Sequence, residues 1–474
     1  MVRVTVVCGD ERREFSARAG ENIKEFLTSH GFFLPSFCGG RGTCGKCRVD
    51  VTEGGTTKTV LACQSTLSGD CTVTLSARSE AAFASVGRTL AGFSPRAGLG
   101  AAVDLGTTTV AVSLFDLSDG SLLGRTGAWN AQGAFGADVI SRISYSLENA
   151  DGTKILSGAI RAQTRELLDT LCRDNGRSFA ELSEITLAGN TVMEHLFCGL
   201  SPEGMAAAPF VPQTLFDKPQ NAKLDGVPVF VFPCASAFVG GDILAGLWGL
   251  GLHQSEECAL FLDVGTNGEM ALGGKGGFTA CSAASGPAFE GAGLSCGMPA
   301  AAGAVDRVWI ENGKIAFHVL GGGDAKGLCG SGLLDLAACL LDLGVLSESG
   351  RLAEPYHLTE DVFLTQEDVR ALQLAKAAVA AGIGMLCRER APEKVYLAGG
   401  FGSFLSPESA VRIGMLPEAF LHKTVRVGNA ALAGAERALL TPEERRALYE
   451  IPVHTLPLSG NREFAEEYIG KMQF

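Results

Sequence analysis

Apolar and polar residues alternate along Val2-Arg3-Val4-Thr5-Val6-Val7, a period of two that predicts a half-buried strand. Arg48-Val49-Asp50-Val51-Thr52 and Cys71-Thr72-Val73-Thr74-Leu75 show the same alternation. Between them, Glu21 to His30 reads as a short helix, with Gly31 as its stop. A strand hairpin, a helix, a glycine-rich loop and further strands predict a small β-grasp domain over residues 1–77. Periodicity weakens over residues 78–98, where Ala, Ser, Gly and Arg gather around Pro95. That stretch reads equally as a linker or as a short helix from Glu80 to Leu90.

From residue 99 the pattern duplicates. Ala102 to Val112 predicts a strand, a turn holding Asp104-Leu105-Gly106-Thr107-Thr108, and a second strand. Leu260 to Met270 repeats the device around Asp263-Val264-Gly265-Thr266-Asn267. Each is followed by a strand running into glycine: Ile185-Thr186-Leu187-Ala188-Gly189-Asn190-Thr191 and Val395-Tyr396-Leu397-Ala398-Gly399-Gly400-Phe401-Gly402. Each of those is followed by a small-residue helix, Ser236 to Gly246 and Gly428 to Ala435. Three elements in one order, twice, predict two related lobes, 99–255 and 256–474. Thr365 to Arg388 predicts a long Ala-rich amphipathic helix, N-capped by Thr365 and favoured by Glu367 and Asp368 in its first turn. The tail beyond Pro442 mixes charge, helix and strand patterns and suggests no role.

Length and charge narrow the classes. A chain of 474 residues, 46% hydrophobic, holds about three domains with real cores. A net charge of −13 argues against nucleic acid and anionic membrane as partners. No run of 18 apolar residues occurs, so no membrane span is expected. The first residues form a strand pattern rather than a signal peptide, so a cytoplasmic location is expected. Most of the fifteen cysteines then read as buried small hydrophobes: Cys8, Cys71, Cys172, Cys198, Cys234, Cys258, Cys281, Cys296, Cys339 and Cys387.

Four cysteines stand apart. Cys38, Cys44, Cys47 and Cys63 spell C-x5-C-x2-C-x15-C, with four glycines among the first three. Four thiolates at loop spacing can hold two irons, and the glycines let backbone N–H groups approach the sulfurs. A structural zinc also takes four ligands, but its sites usually come as two close pairs, and Cys63 stands alone. Disulfides are the third reading and lack a secretory context. The spacing favours a 2Fe–2S cluster.

The paired hairpins suggest phosphate chemistry. Asp-x-Gly-Thr in a tight turn offers N–H groups and hydroxyls to phosphate oxygens, and its carboxylate can hold the waters of a Mg²⁺. Asp104 and Asp263 are the candidate organisers of Mg²⁺ and water, and Gly106, Thr107, Thr108, Gly265, Thr266 and Asn267 are candidate ATP phosphate contacts. Gly399, Gly400, Phe401 and Gly402 let backbone lie against a nucleoside. Gly330 and Ser331, ahead of a helix from Leu333 to Leu341, suggest an anion seat. Asp242 begins a turn of the first small-residue helix, and the bland reading of an acid there is that it favours the helix N-terminus. Glu290 either touches ribose or metal or caps the next helix, capping being the simpler reading. Asp138 and Arg142 read as a surface i, i+4 salt bridge, with Gln132 a candidate for facing the nucleotide. No G-x4-G-K-[ST] pattern occurs, so a P-loop ATPase is excluded.

Residues 100–440 resemble the actin, sugar kinase and heat-shock chaperone superfamily of ATPases, a duplicated ribonuclease H-like α/β fold. The resemblance implies that the Asp hairpins are phosphate loops, the small-residue helices connect the lobes, Gly399-Gly400 ends the adenosine motif and an acid at the place of Asp242 positions the attacking water. The whole chain resembles the reductive activators of corrinoid proteins. The matching text is Cys38 to Cys63, Asp104 to Thr108, Leu187 to Met193, Ala284 to Gly291, Cys329 to Gly332 and Leu397 to Gly402. That resemblance implies a β-grasp 2Fe–2S ferredoxin-like domain fused to the ATPase lobes. It also implies ATP-driven reduction of a Co(II) corrinoid protein of a methyltransferase system to Co(I), an upstream low-potential electron donor, and a homodimer. Three other classes stay open: an activator of a radical dehydratase, a ferredoxin-coupled small-molecule kinase, and a redox-sensing scaffold that binds nucleotide without turnover.

Overall fold

The computed structural model describes residues 2–8, 11–30, 32, 34, 47–75, 93–402 and 404–474. The first sheet has five strands: β1 (Val2–Cys8), β2 (Glu11–Ala17), β3 (Arg48–Glu53), β4 (Thr56–Leu61) and β5 (Cys71–Leu75), in the order β2-β1-β5-β3-β4. Helix α1 (Ile23–Ser29) covers it, burying Ile23, Phe26 and Leu27 against Val4, Val6, Val49 and Val73. Asn22 caps α1 by accepting from the Lys24 and Glu25 amides. Parallel pairing of β1 with β5 inside an otherwise antiparallel sheet gives the β-grasp arrangement expected. The segment from Glu80 to Leu90, expected as linker or helix, lies outside the described residues.

The first lobe carries β6 (Leu99–Leu105), β7 (Thr109–Asp116), β8 (Ser121–Trp129), α2 (Val139–Glu148), α3 (Gly152–Asp174), β9 (Leu182–Gly189), α4 (Thr191–Phe197), β10 (Ala222–Leu224), β11 (Val227–Val231) and α5 (Gly241–Gly249). Its sheet runs β10-β11-β9-β6-β7-β8. The second lobe carries β12 (Ala259–Val264), β13 (Gly268–Gly274), β14 (Gly277–Ala283), β15 (Ala304–Glu311), β16 (Lys314–Val319), β17 (Gly327–Leu328), α6 (Gly330–Asp342), β18 (Tyr356–His357), β19 (Phe363–Leu364) and α7 (Gln366–Leu386). It continues with β20 (Lys394–Ala398), α8 (Gly399–Gly402), α9 (Pro407–Arg412), β21 (Thr424–Gly428), α10 (Ala430–Leu440), β22 (Val453–Thr455) and α11 (Arg462–Gly470). The main sheet of this lobe runs β21-β20-β12-β13-β14-β22.

The two six-stranded sheets share one plan. A three-strand antiparallel meander, β6-β7-β8 or β12-β13-β14, is flanked on its first strand by parallel β9 or β20, and then by parallel β11 or β21. The duplicated ribonuclease H-like fold is therefore present in five matching strands of each sheet, and the sixth differs: β10 lies outside β11 in the first, β22 outside β14 in the second. Strands β6 and β12 are almost wholly apolar because they lie mid-sheet with both faces covered. Helices α5 and α10 lie between the sheets. Trp248, Ala245, Leu432 and Ala435 pack on the first sheet, while Ile243, Leu247 and Ala430 pack on the second. Their crossing needs glycine: a Cβ on Gly434 would overlap the Ala245 carbonyl.

Several boundaries differ from the expectations. The first connecting helix starts at Gly241, not Ser236, because the Ala235 and Ser236 amides close a turn onto the Val239 carbonyl. A further strand precedes each connecting helix, β11 and β21. Helix α6 starts at Gly330, so the expected anion-seat residues form its first turn. Helix α7 has the Thr365 cap in a reciprocal box with Asp368. It is apolar enough to span a bilayer, yet 72% of that stretch is buried in the second lobe.

Candidate functional site

The β3–β4 hairpin explains the long last gap in the cysteine pattern. Gly54 and Gly55, at φ 55° and 83°, turn the chain so that Arg48 pairs with Leu61. Cys47 and Cys63 are thereby brought to the same end of the hairpin, and the Ala62 amide donates to the Cys47 carbonyl at 2.9 Å. Both cysteines are buried, and neither is in a disulfide. Gln64 Nε2 donates to Cys63 Sγ at 3.7 Å, and Asn22 Nδ2 holds the Cys63 carbonyl at 3.1 Å. Two buried thiols at one hairpin end, one already receiving an N–H···S bond, fit cluster ligation. Cys38 and Cys44 lie outside the described residues.

The second site is a cleft where the two meanders face each other. Asp104 ends β6, Asp263 ends β12, and the turns after them meet: Thr108 Oγ1 and Thr266 Oγ1 are 3.2 Å apart. Both hydroxyls donate to Glu290 Oε2 at 2.8 Å. Glu290 is therefore a staple between the two Asp hairpins, and the capping reading is corrected: its short turn, Pro287–Glu290, aims it into the cleft. Asp242, in the first turn of α5, joins Asp104 and Asp263 in the lining, as does Glu269.

Glu269 was not singled out from the sequence, and register explains its place. It pairs directly with Asp263 across β12–β13, so both side chains leave the same face. The opposite number of Asp104 is Ala111. Five carboxylates, those of Asp104, Asp242, Asp263, Glu269 and Glu290, thus line a cleft that shows no Lys, Arg or His among the described residues. Burial pushes Asp104 up to about 6, against a donated bond from Asn429. Burial, then the charge of Asp104, pushes Asp242 to about 7. Burial, then Asp242 and Asp104, pushes Asp263 to about 8. Glu269 rises through burial, Asp242 and Asp263. Such a cluster is short of positive charge, and a divalent cation with phosphates would supply what its donor set lacks.

Two asparagines tie the first hairpin to both lobes. Asn190 caps α4 and donates to Thr107 Oγ1 at 2.8 Å; Asn429 caps α10 and donates to Asp104 Oδ2 at 2.7 Å. Both follow a strand-ending glycine, Gly189 or Gly428, but at non-equivalent places of the repeat, after β9 and after β21, so the sequence signal is the Gly-Asn pair before a helix and not the duplication.

Gly399, at φ 85°, brings the end of β20 against Asp263, whose Oδ1 a Cβ there would overlap. Gly400 opens onto the cleft with no atom within 4 Å of where its Cβ would lie. Phe401 stacks on Phe289 with centroids 4.8 Å apart, and both line the cleft. Gly330 and Ser331 line it too, and a Cβ on Gly330 would overlap the Phe289 carbonyl. Gly106, Gly265 and Asn267 are also in the lining, whereas Gly402 is buried beneath Leu397 and is not.

Two expectations fail. Arg142 is 1% exposed and forms no surface pair with Asp138, which instead caps α2. Gln132 is fully buried, donates to the Leu156 carbonyl at 2.9 Å and does not reach the cleft. The i, i+4 spacing was right for a pair on a helix, but α2 turns that face inward.

The chain matches three family models: a 2Fe–2S iron–sulfur cluster binding domain over residues 6–68, the RACo middle region over 99–255, and the C-terminal ASKHA domain of RACo over 257–474. It is 33% identical over 418 residues to the corrinoid activation enzyme RamQ of Eubacterium limosum, covering 79% of this chain and 70% of that one. It is 26% identical over 399 residues to the [Co(II) methylated amine-specific corrinoid protein] reductase of Methanosarcina barkeri, covering 74% and 72%. A solved structure, a reductive activator for corrinoid, iron–sulfur protein, superposes with TM-score 0.73 at 30% identity, covering 100% of this chain and 98% of that one. With a 2Fe–2S cluster-binding domain, an ATP-binding ASKHA domain and these relatives, the chain belongs to the family of reductive activators of corrinoid proteins, an iron–sulfur reductase built on an ATPase fold.

Proposed function

We propose that this protein hydrolyses ATP to drive an electron from its 2Fe–2S cluster onto the Co(II) of an inactive corrinoid protein of a methyltransferase system, giving Co(I). The observation that carries this reading is the cleft: facing hairpins joined through Thr108, Thr266 and Glu290, with five lining carboxylates and no cation among the described lining residues, on the same chain as the cysteine hairpin. Mg²⁺, when bound with ATP, would neutralise developing phosphate charge. Asp104 and Asp263 would hold its water shell, and Asp242 and Glu269 face the same space. Thr107, Thr108, Thr266 and Asn267 present hydroxyl, amide and backbone groups to the phosphates. Gly399 and Gly400 leave room for adenosine beside the Phe289–Phe401 stack.

Cys38, Cys44, Cys47 and Cys63 would hold the cluster, which supplies one electron at a time. A plant-type cluster sits near about −400 mV, and each unfavourable step of about 59 mV costs tenfold in a one-electron equilibrium. ATP hydrolysis supplies the work for an acceptor below that potential. The cluster would be recharged by an upstream low-potential donor, and the active unit would be a homodimer.

The test is direct. Anaerobically purified protein with Mg²⁺, ATP, a strong reductant and a corrinoid protein encoded near it is expected to produce the Co(I) absorption spectrum, and omitting ATP to abolish it. Failure with every such corrinoid protein sinks the proposal.

A further inference from the structure

Arg142 is the largest buried charge the cleft does not display. Its guanidinium sits behind the first hairpin. Nη2 donates to the Thr107 carbonyl at 2.6 Å, Nε to the Gly136 carbonyl at 3.0 Å, and Nη1 to Gln132 Oε1 at 3.3 Å and Met193 Sδ at 3.1 Å. The acidic groups nearest in effect are Asp138 and Glu290, but one caps α2 and the other is bound by two threonines. The cation is therefore held by neutral acceptors.

The neighbouring carbonyls are tied back as well. Asn130 Nδ2 donates to the Gly106 carbonyl and the Asn130 amide to the Thr108 carbonyl, both at 2.8 Å. In a trans peptide the N–H lies anti to the C=O. Carbonyls pulled away from the cleft at Gly106 and Thr107 turn the Thr107 and Thr108 amides toward it. The second hairpin lacks a charged counterpart: there the Ser285 hydroxyl serves the Gly265 and Thr266 carbonyls, each at 3.2 Å.

We propose that Arg142 is a positioning residue for the nucleotide phosphates, orienting the Thr107–Thr108 peptide and lending positive charge to a cleft that displays none. This rests on the ATP reading above. A carbonyl that accepts a charge-assisted bond polarises its own peptide and strengthens the N–H on the far side. The first hairpin should thus discriminate by phosphate charge, while the nucleoside seat on the second lobe is indifferent to Arg142.

Calorimetry on the full chain, with Mg²⁺ and a non-hydrolysable ATP analogue, ADP or adenosine, tests this for wild type, Arg142→Gln and Arg142→Lys. The expected loss in Arg142→Gln is about 10- to 100-fold for the triphosphate, smaller for ADP and absent for adenosine. Arg142→Lys keeps the charge without the fork and should fall between. An unchanged triphosphate-to-adenosine ratio, or an equal loss for all three ligands, overturns the proposal. Should Arg142→Gln not fold, the ratio in Arg142→Lys decides alone. Wild-type protein that binds no triphosphate overturns the ATP reading instead.

Discussion

At the scale of single residues, the cleft is built from groups that repel one another. Asp104, Asp242 and Asp263 sit at about 6, about 7 and about 8, raised first by burial and then, for Asp242, by the charge of Asp104 and, for Asp263, by those of Asp242 and Asp104. A carboxyl whose folded value is raised binds more protons in the native state than in the unfolded state across the interval between the two values. Stability therefore falls as pH rises from near 4 toward 8 and levels off above. The protein without nucleotide is expected to melt at a lower temperature at pH 8 than at pH 6. Mg²⁺ with an ATP analogue should shrink that difference, and so should Asp263→Asn. A flat pH profile in calorimetric melting, or a rising one, would show that the carboxylates are compensated within the protein.

Residue types were the legible part of this site, and their neighbours were not. Asp-x-Gly-Thr announces itself twice in the chain, and Gly399 and Gly400 mark the end of β20 that lines the cleft. Glu269, by contrast, owes its place to strand register. The β12–β13 turn closes at Val264–Gly268, one residue tighter than Leu105–Val110, and so a glutamate faces Asp263 where alanine faces Asp104. Arg142 was misplaced because a charged residue on an amphipathic helix is normally solvated. Here three polar acceptors were waiting inside.

At the scale of elements, the close crossing of α5 and α10 between the two sheets depends on the absence of side chains at their contact. Gly434 meets the Ala245 carbonyl, and a Cβ on Gly249 would stand 2.7 Å from the Gly434 Cα. Small residues in both helices were visible in the sequence, and so was the repeat of strand, glycine and helix that places them. The start of the first helix was not, because Ser236 to Gly240 has the same small-residue composition and closes a turn instead. Gly434→Ala forces the helices apart, an overpacking cost of about 1–3 kcal/mol. The variant is expected to bind ATP but hydrolyse it at least several-fold more slowly, because Asn429 at the head of α10 no longer reaches Asp104 while the lobes close. Single-turnover hydrolysis beside equilibrium binding separates the two effects; an unaltered rate would mean that the crossing does not move during turnover.

At the scale of the whole molecule, the question is how the cleft is felt by the cluster domain. One route is a direct contact: Lys24 Nζ on α1 donates to the Ala134 carbonyl at 2.9 Å, in the loop that supplies Gln132 and Gly136 to Arg142. The other runs through α10. Its N-terminus holds Asp104 through Asn429. About 16 Å away along the helix, its last carbonyls are gripped by the chain just before the first lobe and by the chain after α10. Ser94 N donates to the Leu440 carbonyl at 3.3 Å, Arg96 Nη2 to the Leu439 carbonyl, and Arg445 Nε to the Ala438 carbonyl at 2.7 Å. Glu184 joins the clamp by pairing with both Arg96 and Arg445. A helix held at both ends would carry any shift of Asp104 to the residues that precede the first lobe. Arg96→Ala weakens that grip, removing its bond to the Leu439 carbonyl and its pair with Glu184 while the Ser94 and Arg445 bonds remain, and it touches neither the cleft nor the cysteine hairpin. The variant should hydrolyse ATP and accept an electron at rates within about twofold of wild type, because each site keeps its own contacts. It should consume more ATP for each Co(I) formed, because closing the cleft moves the tether less. The readout is the ratio of phosphate released to Co(I) produced under identical reductant. An unchanged ratio would assign the coupling to the Lys24 contact, where Lys24→Ala would then be expected to raise it.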